Sequence, residues 1–106
     1  MSWRVLFLDD AKRELEQIYL WELEDTGSVE RAQKVVDRIL DAGQALAQAP
    51  FAHMLHPTSK LEGFGVRYEV VAGRHVIYFV PDEEKQEIRI YHILHRRANA
   101  SSRSWG

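Results

Sequence analysis

The sequence predicts an α+β domain of order β-α-α-β-β-β, an antiparallel sheet with a helical hairpin packed on one face. Three observations predict it. Two long segments with apolar residues at helical spacing fill the first half, joined by Thr26-Gly27-Ser28. Three short runs of alternating apolar and polar residues, separated by turn residues, fill the second half. One apolar run, Trp3 to Leu8, precedes both. A chain of 106 residues is expected to make one domain, placed here over 1–97.

Each element has its own signal. Trp3 to Leu8 is rich in strand formers and stops at Asp9-Asp10, one of which is expected to cap the following helix. Residues 11–25 place Ala11, Leu15, Ile18 and Tyr19 on one helical face. Glu22 falls near the centre of that face, whereas Leu20 and Trp21 lie off it. Gly27 ends the helix and Ser28 caps the next. From Val29 to about Ala49, the residues Val29, Ala32, Val36, Ile39, Gly43 and Leu46 make a narrow seam suited to an antiparallel helical partner. Gly43 would let two backbones approach closely, and Pro50 stops the helix.

Phe51 to Phe64 has no sustained period and reads as loop. Strands follow at Val66–Val71, Arg74–Val80 and Glu87–Leu94, linked by Ala72-Gly73 and by the charged turn Pro81 to Glu84. Ile77, Phe79, Ile88, Ile90 and Leu94 form the face expected against the helices. Strict alternation aims His92 at the helices too, as a core histidine with a backbone partner. Residues 98–106, with three serines, are expected to be flexible or ordered only by a partner.

Composition narrows the function. The chain is 45% hydrophobic and 28% charged, which excludes a mainly disordered protein. It has no cysteine, so it has no disulfide framework and no thiolate metal site. The apolar run before Asp9 is too short for a signal-peptide core or a bilayer span, so a soluble, cytoplasmic protein without a membrane partner is expected. Formal net charge is −2. Without a basic excess, direct specific DNA binding is not expected. Charge is uneven, however. Asp9 to Asp25 is acid-rich, and His92 to Arg103 carries Arg96, Arg97, Arg103, His92 and His95 with no acid.

No phosphate-binding loop, dinucleotide fingerprint or nucleophile elbow is present. His53 and His56 share a spacing that suits one helical face but lack a third ligand, so neither metal nor cofactor is expected.

The element order and three stretches resemble the ParE/RelE toxins of bacterial toxin–antitoxin pairs. The stretches are Leu15-Glu16-Gln17-Ile18-Tyr19, Gly73-Arg74-His75-Val76-Ile77-Tyr78-Phe79, and Ile88 to Arg97 with its apolar-x-His-x-Arg-Arg ending. The resemblance covers residues 3–97. The long hairpin, the acidic balance and the His95-Arg96-Arg97 ending look closer to ParE than to RelE. Glu22 departs from the pattern, since relatives carry an apolar residue there. The resemblance implies a toxin of a type II system that inhibits DNA gyrase by binding, without hydrolytic chemistry or a catalytic residue. It also implies neutralisation by a cognate ParD-like, ribbon-helix-helix antitoxin.

Two other readings stay open. A RelE-like ribosome-dependent messenger-RNA nuclease would draw on Arg67, Arg74, His95 and Arg96, because cleavage needs an acid–base group and cations for the phosphorane charge. A degenerate member would retain antitoxin binding with little toxicity. On the binding reading, Trp3, Leu20 and Trp21 are anchors, and Arg67, Arg74, His95, Arg96 and Arg97 contact an acidic antitoxin or the target.

Overall fold

The computed structural model describes residues 3–105. Its elements are β1 (Arg4–Phe7), α1 (Asp9–Thr26), α2 (Val29–Ala45), a short α3 (Ser59–Gly63), β2 (Arg67–Val71), β3 (His75–Asp82) and β4 (Glu87–His95). They make one four-stranded sheet in the order β1-β4-β3-β2. Strands β2, β3 and β4 form the expected antiparallel meander. The sheet is not antiparallel throughout, because β1 lies parallel to β4, from Arg4 opposite Glu87 to Phe7 opposite Ile90. A parallel neighbour requires a long crossover, and the intervening helices and meander supply it.

Local chemistry sets the helix ends. Leu8, not an aspartate, is the N-cap of α1 and makes no side-chain cap bond. Asp9 and Asp10 instead sit in the first turn, where they meet the positive end of the helix dipole. Gly27, at φ 67°, ends α1 by donating its N–H to the Leu23 carbonyl. Ser28 caps α2 by accepting the Arg31 N–H. The α-helical form of α2 stops at Ala45, and a 3-10 turn carries the chain through Gln48.

The helical hairpin covers one sheet face. Ala11, Leu15, Ile39, Leu46, Ile77, Phe79, Ile88, Ile90 and Ile93 form its core. Gly43 serves closeness of a different kind from the one expected. A Cβ there would lie 2.7 Å from Phe7 Cζ and 3.2 Å from Ile90 Cδ1, so the glycine makes room for a β1 ring on the sheet. Gly43→Ala is expected to cost about 1–3 kcal/mol by overpacking. Urea denaturation reads this, and a variant as stable as the parent would show that the ring re-seats freely.

A β-bulge reverses one expectation. Phe79 pairs with Ile90, but Tyr78 pairs with His92, which leaves Tyr91 as the extra residue. Beyond it, alternation on β4 is flipped. Ile93, rather than Leu94, joins the helix-side core, while Leu94 and His92 turn to the opposite face with Tyr78. His92 is therefore buried, but not toward the helices.

That opposite face carries a second core of Leu61, Val66, Val76, Tyr78, Leu94, Ala100 and Trp105. Two segments expected to be irregular build it. One is the 51–64 stretch, which includes α3 and its Leu61. The other is the tail, whose Ala98, Ala100 and Trp105 pack onto this core. Residues 100–102 form a 3-10 turn, and Trp105, 7% exposed, stacks near Tyr78, Tyr91 and His92. Its indole N–H donates to the Ala100 carbonyl at 3.0 Å. No described helix is long and apolar enough to cross a membrane.

Candidate functional site

A groove of about 500 Å³ lies between α1 and the adjoining ends of β3 and β4. Helical spacing puts Glu14, Gln17, Ile18 and Trp21 along its α1 wall. Ile93 and Leu94 line the β4 side, and the tail supplies Ala98 and Arg103 on the other wall. Arg74, His75 and His95 close one end, where the β2–β3 hairpin meets the last residue of β4.

Glu14 on the wall and Glu22 beside it on α1 are already engaged. Glu14 accepts the Ile93 backbone N–H at 2.9 Å and faces His92 Nδ1 at 2.9 Å. It thereby satisfies the edge of β4 beyond the end of β1. Glu22 explains its place on an apolar stripe. It is 3% exposed and accepts from Arg74 Nη2 at 2.6 Å, while the guanidinium sits 5.9 Å from the Trp21 ring centroid. The sheet-end arginine neutralises the buried acid and brackets the indole.

His75 and His95 are cross-strand partners with ring centroids 6.0 Å apart. Burial, then the neighbouring Arg74 and His95, lowers the His75 pKa, and Glu22 opposes this only in part. These surroundings favour the neutral imidazole. Arg96, Arg97 and Arg103 are exposed and make no ion pair among the described residues. The groove therefore presents an apolar floor, one half-exposed indole and a cationic rim.

The eight residues singled out from sequence fall into two groups. Trp21, Arg74 and His95 line the groove, and Arg96 and Arg97 follow His95 in the chain, the Arg96 N–H donating to the Arg74 carbonyl at 2.8 Å. Leu20, 54% exposed, extends the apolar surface beside Trp21. Trp3 lies elsewhere, packed edge-to-face on Phe51 at 5.7 Å. Arg67 is also elsewhere, donating to the His53 and Phe51 carbonyls with its guanidinium 5.3 Å from the Phe51 ring centroid. It stands opposite Phe79, four residues along β2 from the His75 end, or about 13 Å at strand rise. The four nuclease candidates are therefore not brought together.

Sequence reasoning missed Glu14, His75 and Arg103 as groove residues. Glu22 left the one usable trace, an acid in the middle of an apolar stripe. Among the described residues, no three of His, Cys, Asp or Glu converge as a metal site would need. His53 turns to Glu69, and His56 Nδ1 accepts the Thr58 N–H.

The family model described as ParE toxin of type II toxin-antitoxin system, parDE, matches residues 5–100. Two solved structures share the fold. The chromosomal ParDE TA system from P. aeruginosa aligns with a TM-score of 0.73 at 22% identity, covering 88% of this chain and 95% of that one. The toxin–antitoxin complex RelBE2 from Mycobacterium tuberculosis aligns with a TM-score of 0.66 at 14% identity, covering 91% of this chain and 100% of that one. No curated protein matches the chain.

Proposed function

Since the chain belongs to the ParE toxin family of type II toxin–antitoxin systems, we propose that it acts by binding, inhibiting DNA gyrase, and that a cognate antitoxin of ParD-like, ribbon-helix-helix type holds it inactive. The observation that carries the binding mode is the groove. Glu14 and the adjoining Glu22 are internally paired, Arg96, Arg97 and Arg103 make no ion pair among the described residues, and Trp21 is 57% exposed. Such a surface suits a partner segment that presents apolar side chains flanked by carboxylates. A large exposed aromatic beside an arginine is the usual composition of a binding hot spot. The solved relatives are toxin–antitoxin assemblies by their descriptions, which supports an antitoxin partner here. The separation of Arg67 from Arg74, His95 and Arg96 favours this reading over a RelE-like nuclease. A cytoplasmic site of action follows from the proposed target.

The test is direct. Purified protein is expected to inhibit gyrase supercoiling in a dose-dependent manner. Trp21→Ala is expected to weaken association with gyrase or antitoxin roughly 30-fold, the worth of a hot-spot residue. Cleavage of messenger RNA at the ribosomal A site, with gyrase unaffected, would overturn the proposal.

A further inference from the structure

His92 sits between two acceptors. Its Nδ1 lies 2.9 Å from Glu14 Oε2 on α1, and its Nε2 lies 2.6 Å from the Ser104 carbonyl on the tail. A carbonyl oxygen only accepts, and an ionised carboxylate only accepts. A neutral imidazole has one N–H and satisfies one of them. The pair of contacts therefore requires a second proton on the His92–Glu14 unit. The ring is only 3% exposed, so water does not substitute for a lost partner.

One acceptor lines the groove and the other adjoins a residue that does. Glu14 is on the α1 wall, and Ser104 follows Arg103, which lines the tail wall. From these contacts we infer that His92 is a proton-operated tie that holds the C-terminal strap, residues 98–105, to α1 and so sets the position of Arg103 at the groove. With one proton gone, Nδ1–H keeps the stronger bond to the carboxylate. The Nε2 lone pair then faces the Ser104 carbonyl at close range, and the strap loses its tether.

The groups facing His92 are few. Glu14 comes from α1, Arg103 from the strap, Tyr78 from β3, and Tyr91 from β4 itself, with the Trp105 ring 4.8 Å away. Burial, then the neighbouring Tyr68, raises the Tyr78 pKa above its ordinary value, so that phenol does not titrate near neutrality. Burial lowers the His92 pKa, but the hydrogen bonds to Glu14 and Ser104, with the Glu14 charge, more than reverse this against the opposing Arg103. The folded-state pKa is thus raised above the ordinary 6.5. The sign follows: the tie is complete below that ordinary value and is lost as pH rises through the raised one.

Amide hydrogen exchange on the full chain tests the tie. Ser102 and Arg103 donate their N–H groups within the strap, to Asn99 and Ala100. After correction for intrinsic exchange, their opening is expected to rise roughly 10- to 100-fold as pH climbs, the worth of one charge-assisted bond. The midpoint should coincide with the His92 ring titration followed by NMR. His92→Gln should abolish the step, and Glu14→Gln should move it to lower pH. A flat opening profile in the parent overturns the inference, as does a step that survives His92→Gln. If His92→Gln does not fold, an opening midpoint that departs from the ring titration, in the parent or in Glu14→Gln, overturns it equally. None of these readouts involves gyrase or an antitoxin, so the tie and the proposed function fail separately.

Discussion

Trp105→Ala is expected to destabilise the fold by about 3–5 kcal/mol, the range for truncating a buried Trp or Phe. The effect is large because the ring fills the centre of the outer core, against Tyr78, Tyr91 and His92. Its removal uncovers Val76 and Leu94 on the sheet as well. It also removes one of the two N–H donors to the Ala100 carbonyl, the other being the Arg103 backbone N–H. Equilibrium denaturation measures the loss. Trp105→Phe should recover much of it, since the ring volume is largely kept and one hydrogen bond is gone. An alanine variant within about 1 kcal/mol of the parent would mean that the strap does not pack on the sheet in solution.

The second large effect concerns Arg74 and Glu22. Arg74→Ala is expected to cost up to about 3 kcal/mol, the lower end of the range for breaking a buried ion pair. The lower end applies because the Arg74 side chain is 45% exposed while that of Glu22 is 5% exposed, so solvent screens one partner and not the other. Removing the arginine leaves a carboxylate in the wall of the helical core. Glu22→Leu should behave differently, changing stability by less than about 1 kcal/mol or raising it, because no buried charge then remains. Arg74→Ala should also release the Trp21 ring, which a shift in its indole NMR resonance would report. Equal losses for the two variants would show that the pair is a surface contact and that the asymmetry argument is wrong.

These two predictions rest on residues the sequence treated in opposite ways. Trp105 lay in a serine-rich end that carried no periodicity. Glu22 stood out at once, but its partner was 52 residues away and invisible to any local pattern. The groove shows the same division. Trp21, Arg74 and His95 were legible as exposed aromatic and basic residues near recognisable elements. Arg67 looked equivalent to Arg74 on paper, and only the register puts about 13 Å of strand between them. Glu14, His75 and Arg103 gave no sign, because an acid on a helix, a histidine on a strand and an arginine in a tail are usually solvated.

Periodicity and turn chemistry by themselves determined the elements, their order, the hairpin and the α+β class. Those features depend on neighbours within a few residues along the chain, where spacing of 3.6 or 2 and a glycine or serine at an end are decisive. Tertiary structure alone decided the parallel β1–β4 edge, the bulge at Tyr91, the second core under the strap and the pairing of each buried acid. The bulge is the clearest case. One extra residue in β4 leaves the sequence pattern apolar and strand-like, yet it turns His92 from the helical face to the strap. That single rotation places an imidazole between Glu14 and Ser104, where hydrogen-bond geometry, and not residue type, dictates its proton.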